Sequence, residues 1–319
     1  MKNLQNFKTY KFILIFVLLL LSGSKMKACD LCSCTTSGGS SAFGDLSMSN
    51  FIGFRYIHQV YESIDGIFSN SPKINEEFDT YQIWAKIPLN DSFYLSTVIP
   101  FQNFTREFEL DDTMENINGL GDINIMGWYK LPLYKKHTKR AHELGLPKEI
   151  SNHTLNFGLG LKLPTGEFEQ ELNNGGLNPG FQVGTGSLDL FTSIMHGYQR
   201  NNFGIASTLT YYYKTENKNE YQYGNQFSYA SSVFYDIDMK VVKTKPFLSL
   251  SGDVYNSIEQ YGEELQETDG SIFYGSLGSE FIRNRMLFGM KYTLPIKQDL
   301  LGGNVTSKNQ FSVYLNYTL

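Results

Sequence analysis

The most constraining feature of this 319-residue sequence is an alternation of apolar and small polar side chains that recurs in segments of about ten residues. In an extended strand, residues i, i+2 and i+4 lie on one face of the sheet. The segment 154–162 is the clearest case, with Leu or Phe at every second position and Asn, Gly or Lys between them. The alternation predicts twelve strands, at 48–61, 78–87, 93–108, 121–130, 154–162, 187–198, 203–213, 227–235, 247–255, 272–282, 286–294 and 310–319.

The polar face of these predicted strands is unusual, because it holds mainly Gly, Ser, Asn, Gln and Thr rather than charged residues. A water-soluble sheet hides its apolar face and shows a polar one to solvent. A transmembrane barrel instead turns apolar side chains to lipid and polar ones to its lumen, with aromatic residues at both membrane interfaces. The chain holds 24 Phe and 21 Tyr, and only 18% of its residues are charged. We therefore predict an all-β fold, a transmembrane antiparallel up-and-down β-barrel of about twelve strands in residues 47–319.

The predicted connections alternate in length, as they do in bacterial outer-membrane barrels. Short turns on the periplasmic side are expected at 88–91, 200–202, 237–245 and 283–285. Longer outer loops are expected at 64–77, 109–120, 163–186, 217–225, 256–270 and 297–307. The segment 134–153 breaks this rule, because it should be periplasmic and yet is about twenty residues long and basic. We interpret it as a solvated insertion, with a partner-binding element as the alternative.

The two ends of the chain carry signals typical of an exported barrel. Lys2, Lys8 and Lys11 precede an apolar run at 12–21, which is too short to cross a bilayer as a helix of about 20 residues. We predict a signal peptide at 1–28 and a location in the bacterial outer membrane. The final strand has apolar side chains at 311, 313, 315, 317 and 319, a pattern that resembles the signal read by the barrel-assembly machinery. That machinery is therefore an expected partner during biogenesis.

Removal of the predicted signal peptide changes the charge of the chain. The first 28 residues hold five lysines and no acid, so the formal net charge goes from −5 to −10. An acidic exported protein is a poor candidate for binding nucleic acid, which relies on Lys and Arg at phosphates. We therefore expect the outer-membrane lipid and a small-molecule solute as partners.

All three cysteines lie within six residues, at Cys29, Cys32 and Cys34. Three thiolates suit a soft metal such as Cu(I) better than a structural zinc site, which has four ligands. A disulfide with one odd thiol and lipidation of Cys29 are the alternatives. The Ser- and Gly-rich stretch that follows predicts a flexible segment at 29–46 outside the barrel wall. A membrane-anchored metal-handling or interaction protein that uses this segment is the alternative to a channel; no other cofactor is expected.

Sequence patterns of catalytic sites are missing from the chain. It has no Gly-x-Ser-x-Gly, no His-Glu-x-x-His and no Gly-x-x-x-x-Gly-Lys, so we expect no enzymatic activity. Charged residues on the predicted polar face are more informative, because charges at membrane depth must face water or one another. They would form either a salt-bridge lattice that fills the lumen or a filter that selects solutes. These lumen-facing candidates are Arg55, Lys86, Asp122, Lys162, Asp189 and Glu280.

Several motifs resemble known outer-membrane proteins. The segment 50–56, Asn-Phe-Ile-Gly-Phe-Arg-Tyr, after the Cys-x-x-Cys-x-Cys start is similar to a set of barrels from the Bacteroidetes. The motifs Gly-Leu-Gly-Asp at 119–122, Leu-Pro-Thr-Gly at 163–166 and Asn-Pro-Gly-Phe-Gln-Val-Gly-Thr-Gly-Ser at 178–187 resemble the transporter family named for the meta-pathway of phenol degradation. The resemblance implies a channel for small molecules, with aromatic and metal-related solutes as candidates. The motif glycines are expected to serve tight turns and bulges.

Overall fold

The structure is a computed structural model that describes residues 50–64, 72–110, 112–134, 151–172, 175–176 and 179–319. The predicted signal peptide at 1–28 and the cysteine-rich segment at 29–46 lie outside the described residues, as do residues 135–150 of the basic insertion. Among the described residues, no helix combines the length and the apolar character needed to cross a bilayer.

Twelve antiparallel strands, numbered here in chain order, form one closed sheet. They are β1 (Phe51–Ile64), β2 (Lys73–Pro88), β3 (Phe93–Phe108), β4 (Met114–Leu120 and Ile123–Leu131), β5 (His153–Leu163), β6 (Asp189–Arg200), β7 (Phe203–Tyr213), β8 (Gln226–Tyr235), β9 (Val242–Tyr255), β10 (Gly270–Arg283), β11 (Met286–Leu300) and β12 (Val305–Thr318). Each strand pairs with the next, and β1 pairs with β12 from Phe51 opposite Thr318 onward, so the sheet closes into a barrel. The predicted fold class is confirmed.

Short strand pieces and turns complete the architecture. The piece Ile237–Met239 pairs with the start of β9, so the predicted turn at 237–245 is narrower than expected. Asn201 and Asn284 adopt positive φ in the turns before β7 and β11, a conformation that Asn tolerates better than most residues. The remaining short strand pieces lie in the long loops, at Glu171–Leu172, Gly175–Gly176, Tyr221–Gln222, Glu259–Gln260 and Glu263–Glu264.

The predicted strand bounds are most accurate where lipid imposes the pattern. β3 and β7 have the bounds that the alternation predicts. The outer loop predicted at 109–120 is wrong, because Met114–Leu120 forms the first half of β4 and pairs with β3. The outer loop predicted at 297–307 is also wrong, because β11 and β12 extend to a short 3-10 turn at Leu301–Gly303. These strand ends extend beyond the lipid-facing part of the barrel. Both faces of the sheet are in polar surroundings there, so apolar and polar side chains need not alternate.

The apolar face of the sheet points outward. Ile83, Leu159 and Leu277 are 56%, 67% and 66% exposed, while their polar neighbours along the strands, such as Gln82, are buried inside the barrel. A sheet with this distribution is stable only if lipid covers its outer face. The interior is therefore the polar side of the barrel, as the sequence predicts.

Inward glycines lie directly opposite inward aromatic rings on neighbouring strands. Gly158 pairs with Trp128, Gly204 pairs with Phe234, and Gly289 pairs with Tyr314. A Cβ atom at Gly158 would lie 2.6 Å from the Met126 sulfur, so only glycine leaves room for these side chains. These three glycines therefore make room for inward aromatic rings on the neighbouring strands.

Candidate functional site

The connection between β5 and β6, which we call the inserted loop (residues 164–188), enters the barrel at its long-loop end. Residues 180–185 are buried, and the Phe181 ring centroid lies 6.3 Å from that of Phe78 and 6.2 Å from that of Phe104. The guanidinium carbon of Arg106 lies 4.4 Å from the same ring. Inward side chains from β1 to β4 and β9 to β12 surround Phe181 and Val183 and fill this end of the lumen. They are Tyr61, Phe78, Phe104, Ile117, Tyr255, Ile272, Tyr274, Leu300 and Val305.

Asp122 ties the inserted loop to the wall at the break between the two halves of β4. Its Oδ1 accepts a hydrogen bond from the Gly166 backbone N–H at 3.0 Å. Its Oδ2 accepts from the Thr185 backbone N–H at 3.0 Å and from the Thr185 hydroxyl at 2.7 Å. The Thr165 hydroxyl donates to the Gly121 carbonyl at 2.9 Å. The three family-like motifs therefore meet around one carboxylate.

Lys162 completes a buried charged group with two carboxylates. Its Nζ lies 2.5 Å from Asp189 Oδ2 and 3.5 Å from Asp122 Oδ2, and it also donates to the Thr185 hydroxyl. Asp189 Oδ1 accepts further hydrogen bonds from the Ser187 hydroxyl at 2.9 Å and the Thr215 backbone N–H at 3.0 Å. We call Asp122, Lys162, Thr185 and Asp189 the loop latch. A buried charge is tolerated only when it is paired and hydrogen-bonded, and each charge of the latch is.

Two motif glycines allow the inserted loop to fold back on itself. A Cβ atom at Gly166 would lie 2.7 Å from the Gly184 Cα atom, so the two backbones touch where no side chain fits. The Gly184 N–H donates to the Glu167 carbonyl at 2.9 Å. The expectation that motif glycines serve turns applies to Gly186, which has φ +70°, whereas Gly166 and Gly184 serve close backbone approach.

The neighbouring outer loop, between β7 and β8, contacts the inserted loop through a hydrogen bond and an ion pair. The Tyr223 hydroxyl donates to the Pro179 carbonyl at 2.6 Å, and Lys218 Nζ lies 2.6 Å from Glu169 Oε2. The hydrogen bond from Lys218, with a smaller contribution from Asn219, holds the pKa of the Glu169 carboxyl below its usual value. The ionised contact is therefore fully formed above the usual carboxyl range and is lost as pH falls through the lowered pKa.

An open-sided cavity lies inside the opposite, short-turn end of the barrel, with about 380 Å³ of empty space that includes adjoining open solvent. Trp128 Nε1 donates to the Ser96 hydroxyl at 2.8 Å, but Trp84 Nε1 and the Tyr94 hydroxyl have no hydrogen-bond partner among the described residues. Both of these side chains are more than nine-tenths buried, with exposures of 5% and 8%. We call this space the aromatic cavity; its lining residues include Phe51, Trp84, Lys86, Tyr94, Ser96, Val98, Trp128 and Met195.

A second, more polar space lies beside the aromatic cavity near the short turns, and we call it the mouth cavity. It has about 490 Å³ of empty space, which includes adjoining open solvent. Lys86 and Tyr94 line both spaces, and Lys86 Nζ lies 4.5 Å from the Tyr94 ring centroid. The other residues that line the mouth cavity are Asn50, Pro88, Asn90, Asp91, Lys130, Thr154 and Asn156.

The structure distributes the six lumen-facing candidates over separate places. Asp122, Lys162 and Asp189 come together in the loop latch, and Lys86 joins the two cavities. Arg55 donates to Gln82 Oε1 at 2.7 Å, with its guanidinium carbon 4.4 Å from the Trp84 ring centroid. Glu280 accepts from the Tyr314 hydroxyl at 2.8 Å and lies 3.9 Å from Lys245 Nζ.

The sequence prediction missed the residues that make the cavity, although it contained a signal for them. Trp84 and Trp128 occupy the predicted polar face of their strands, where an aromatic residue does not meet lipid. The motifs that contain Gly166 and Thr185 did not predict that the backbone N–H groups of both residues bind Asp122.

The predicted metal site cannot be located among the described residues, because Cys29, Cys32 and Cys34 lie outside them. The described part of the chain holds no group of three or more His, Cys, Asp or Glu side chains that could hold a metal ion. Cu(I) binding by the cysteines stays a prediction, as do the signal peptide, the assembly machinery as a partner and an origin in the Bacteroidetes.

Comparison with known proteins supports an outer-membrane fold. A family profile described as "Putative MetA-pathway of phenol degradation" matches residues 76–280. The crystal structure of an outer membrane channel from Pseudomonas putida F1 aligns with a TM-score of 0.60 and 11% identity over 87% of this chain and 98% of that one. No curated protein sequence matches the chain.

Two further solved structures are less similar. The transport unit of the autotransporter AIDA-I from Escherichia coli aligns with a TM-score of 0.48 and 8% identity over 90% of this chain and 97% of that one. A Pseudomonas aeruginosa FadL homologue aligns with a TM-score of 0.37 and 11% identity over 92% of this chain and 100% of that one. The closed twelve-stranded barrel places the protein in the bacterial outer membrane, so the predicted location is confirmed.

Proposed function

The chain belongs to the family of the MetA-pathway of phenol degradation, and on this premise we propose that it is a passive outer-membrane channel for small aromatic molecules. The family and the fold are those of outer-membrane channels and transporters, which are not enzymes. The single observation that carries the aromatic solute is the aromatic cavity. Its lining is mainly apolar and aromatic with a few polar groups, which is the composition typical of small-molecule sites.

The walls of the cavity suit a flat ring better than a sugar or an inorganic ion. Phe51 and Trp84 contact each other edge to face at 4.6 Å between ring centroids, and Tyr94 and Trp128 stack at 5.7 Å. Aromatic pairs favour these offset and edge-to-face arrangements, so the ring of a solute can pack against the cavity walls in the same geometries. A solute that needs many hydrogen bonds would find few partners on these walls.

The outer end of the lumen is filled by side chains, so the barrel is not an open water-filled pore. Phe181 and its neighbours occupy the space through which a solute would pass, and twelve strands leave less room than the sixteen or eighteen of the large porins. We infer that passage is slow and selective, and that the inserted loop must shift for a solute to reach the aromatic cavity from outside.

Intrinsic fluorescence offers a direct test of the proposed solute class. The chain has two tryptophans, Trp84 and Trp128, and both line the aromatic cavity. We expect 4-nitrobenzyl alcohol, a neutral aromatic quencher, to quench the fluorescence of the refolded full chain in a saturable way. Cyclohexylmethanol, a neutral alcohol of similar size without an aromatic ring, should compete weakly.

Two glycine variants provide a matched pair for this test. Gly158→Val places a side chain against Met126 and Trp128, so it should weaken saturable quenching at least tenfold. Gly127→Val, on the outer face with its nearest neighbour at 3.9 Å, should leave the quenching unchanged. Quenching that never saturates, or that is equal in both variants, would contradict the aromatic cavity as the binding site.

A further inference from the structure

We propose that the aromatic cavity recognises an anionic solute, an aromatic carboxylate, through the ammonium of Lys86 and the donors of Trp84 and Tyr94. This inference rests on the proposed function, because it names the chemical class of the solute that the same cavity binds. It goes beyond that function in predicting discrimination by charge between rings of the same size.

The position of Lys86 is the first argument. Its side chain lines both the aromatic cavity and the mouth cavity, with its Nζ 4.5 Å from the Tyr94 ring centroid. A ring held between Trp84 and Trp128 would therefore have an ammonium group at its exit towards the mouth. A carboxylate in apolar surroundings requires a charged partner, and a lysine at the edge of the cavity provides one.

The unsatisfied donors are the second and independent argument. Trp84 Nε1 and the Tyr94 hydroxyl line the cavity, are buried and have no hydrogen-bond partner among the described residues. Buried polar groups of native proteins are almost always hydrogen-bonded, so an exception calls for a missing partner. An indole N–H can only donate, and an ionised carboxylate is an acceptor with two oxygens. A carboxylate can therefore accept from either of these two groups, and Lys86 lines the same cavity.

The other charged groups around the two cavities favour the same sign. Arg55 lies with its guanidinium carbon 4.4 Å from the Trp84 ring centroid, and Lys130 lines the mouth cavity. Asp91 is the acidic residue among the side chains that line the mouth cavity. These cationic groups beside the two cavities favour an anionic aromatic solute over a cationic one.

The experiment compares two quenchers that share one ring and differ in charge. 4-Nitrobenzoate and 4-nitrobenzyl alcohol are titrated into the refolded full chain in a non-ionic detergent at low salt. Gly158→Val, in which saturable binding should be weakened at least tenfold, measures the quenching that arises when a quencher partitions into the detergent micelles. We expect wild-type protein to bind 4-nitrobenzoate at least tenfold more tightly than the alcohol.

Three variants assign the preference to its groups. Lys86→Gln should bring the two affinities within about twofold of each other and leave that for the alcohol unchanged. Lys240→Gln, which changes an exposed lysine in a short turn that lines neither cavity, should keep the preference. Trp84→Phe retains the ring and removes the N–H, so it should weaken 4-nitrobenzoate severalfold, with Trp128 as the remaining reporter.

The possible outcomes separate the two proposals. Saturable binding of both quenchers with equal affinity in wild-type protein would overturn the anion preference and leave the aromatic channel standing. Retention of the preference in Lys86→Gln would also overturn it. Failure of both quenchers to saturate would reject the aromatic channel itself. Folding of each variant is checked by the electrophoretic mobility of unheated samples, and Trp84→Phe provides the decision if Lys86→Gln does not fold.

Discussion

Single residues of the loop latch connect parts of the chain that are far apart in sequence. Asp122 binds the backbone of Gly166, 44 positions away, and that of Thr185, 63 positions away. A carboxylate can accept from several donors at once, whereas an asparagine has a single acceptor oxygen. The residue type at 122 is therefore set by the number of donors that converge on it.

The balance of charge within the latch leads to a prediction about Lys162. Lys162→Met leaves Asp122 and Asp189 buried without their cation, so we expect it to lower the free energy of unfolding by about 3–5 kcal/mol. Asp189→Asn leaves one acid opposite the lysine and should lower it by about 1–3 kcal/mol. Urea unfolding, followed by the mobility of unheated samples on gels, measures both values. A Lys162→Met protein as stable as wild type would show that the latch does not hold the fold.

The inserted loop is the element that gives this barrel its particular interior. Its anchors are polar and lie at the wall, in the latch, whereas its tip is apolar and lies among the inward rings at the outer end. The loop is therefore held by polar contacts in the latch and by apolar contacts at its tip, and the two kinds of contact respond differently to mutation. The Tyr223–Pro179 hydrogen bond links it to the next outer loop.

The tip of the inserted loop should control the passage of ions. Phe181→Ala removes a buried ring that contacts Phe78, Phe104 and Arg106. We expect a loss of about 3–5 kcal/mol in stability and a severalfold rise in single-channel conductance in planar bilayers. Leu110→Ala changes a 72%-exposed apolar residue of another outer loop and should alter neither quantity. Equal conductance in wild type and Phe181→Ala would place the constriction elsewhere.

The whole molecule depends on closure of the sheet between its first and last strands. β1 pairs with β12 along nearly its full length, so every strand has two neighbours. In the hydrocarbon layer an open edge leaves backbone groups without hydrogen-bond partners, each at a cost of several kcal/mol. The barrel is therefore one cooperative unit rather than a set of independent hairpins.

Removal of residues 305–319 should abolish folding, because it leaves β1 and β11 with open edges in lipid. We expect no fast-migrating band in unheated samples after refolding into detergent or liposomes. Removal of Leu319 alone breaks one backbone hydrogen bond, from its N–H to the Asn50 carbonyl, and should leave the band intact. A folded band in the longer truncation would mean that eleven strands can close by themselves.

The sequence by itself determined the features that repeat along the strands. The two-residue period, the apolar outer face and the bounds of β3 and β7 follow from it, because lipid on one side and the lumen on the other impose a local pattern on each segment. The same rule marks Trp84 and Trp128 as inward residues, since their positions alternate with lipid-facing ones. The alternation stops where a strand leaves the lipid, and for that reason the sequence did not predict the first half of β4.

Only the tertiary structure decided what lies inside the barrel. The sequence named Asp122, Lys162 and Asp189 as separate inward charges, but the register of β4, β5 and β6 places the Lys162 Nζ 2.5 Å from Asp189 and 3.5 Å from Asp122. The aromatic cavity likewise forms from side chains of five strands, β1, β2, β3, β4 and β6. Such contacts depend on strand order and on the path of a loop, which no local periodicity encodes.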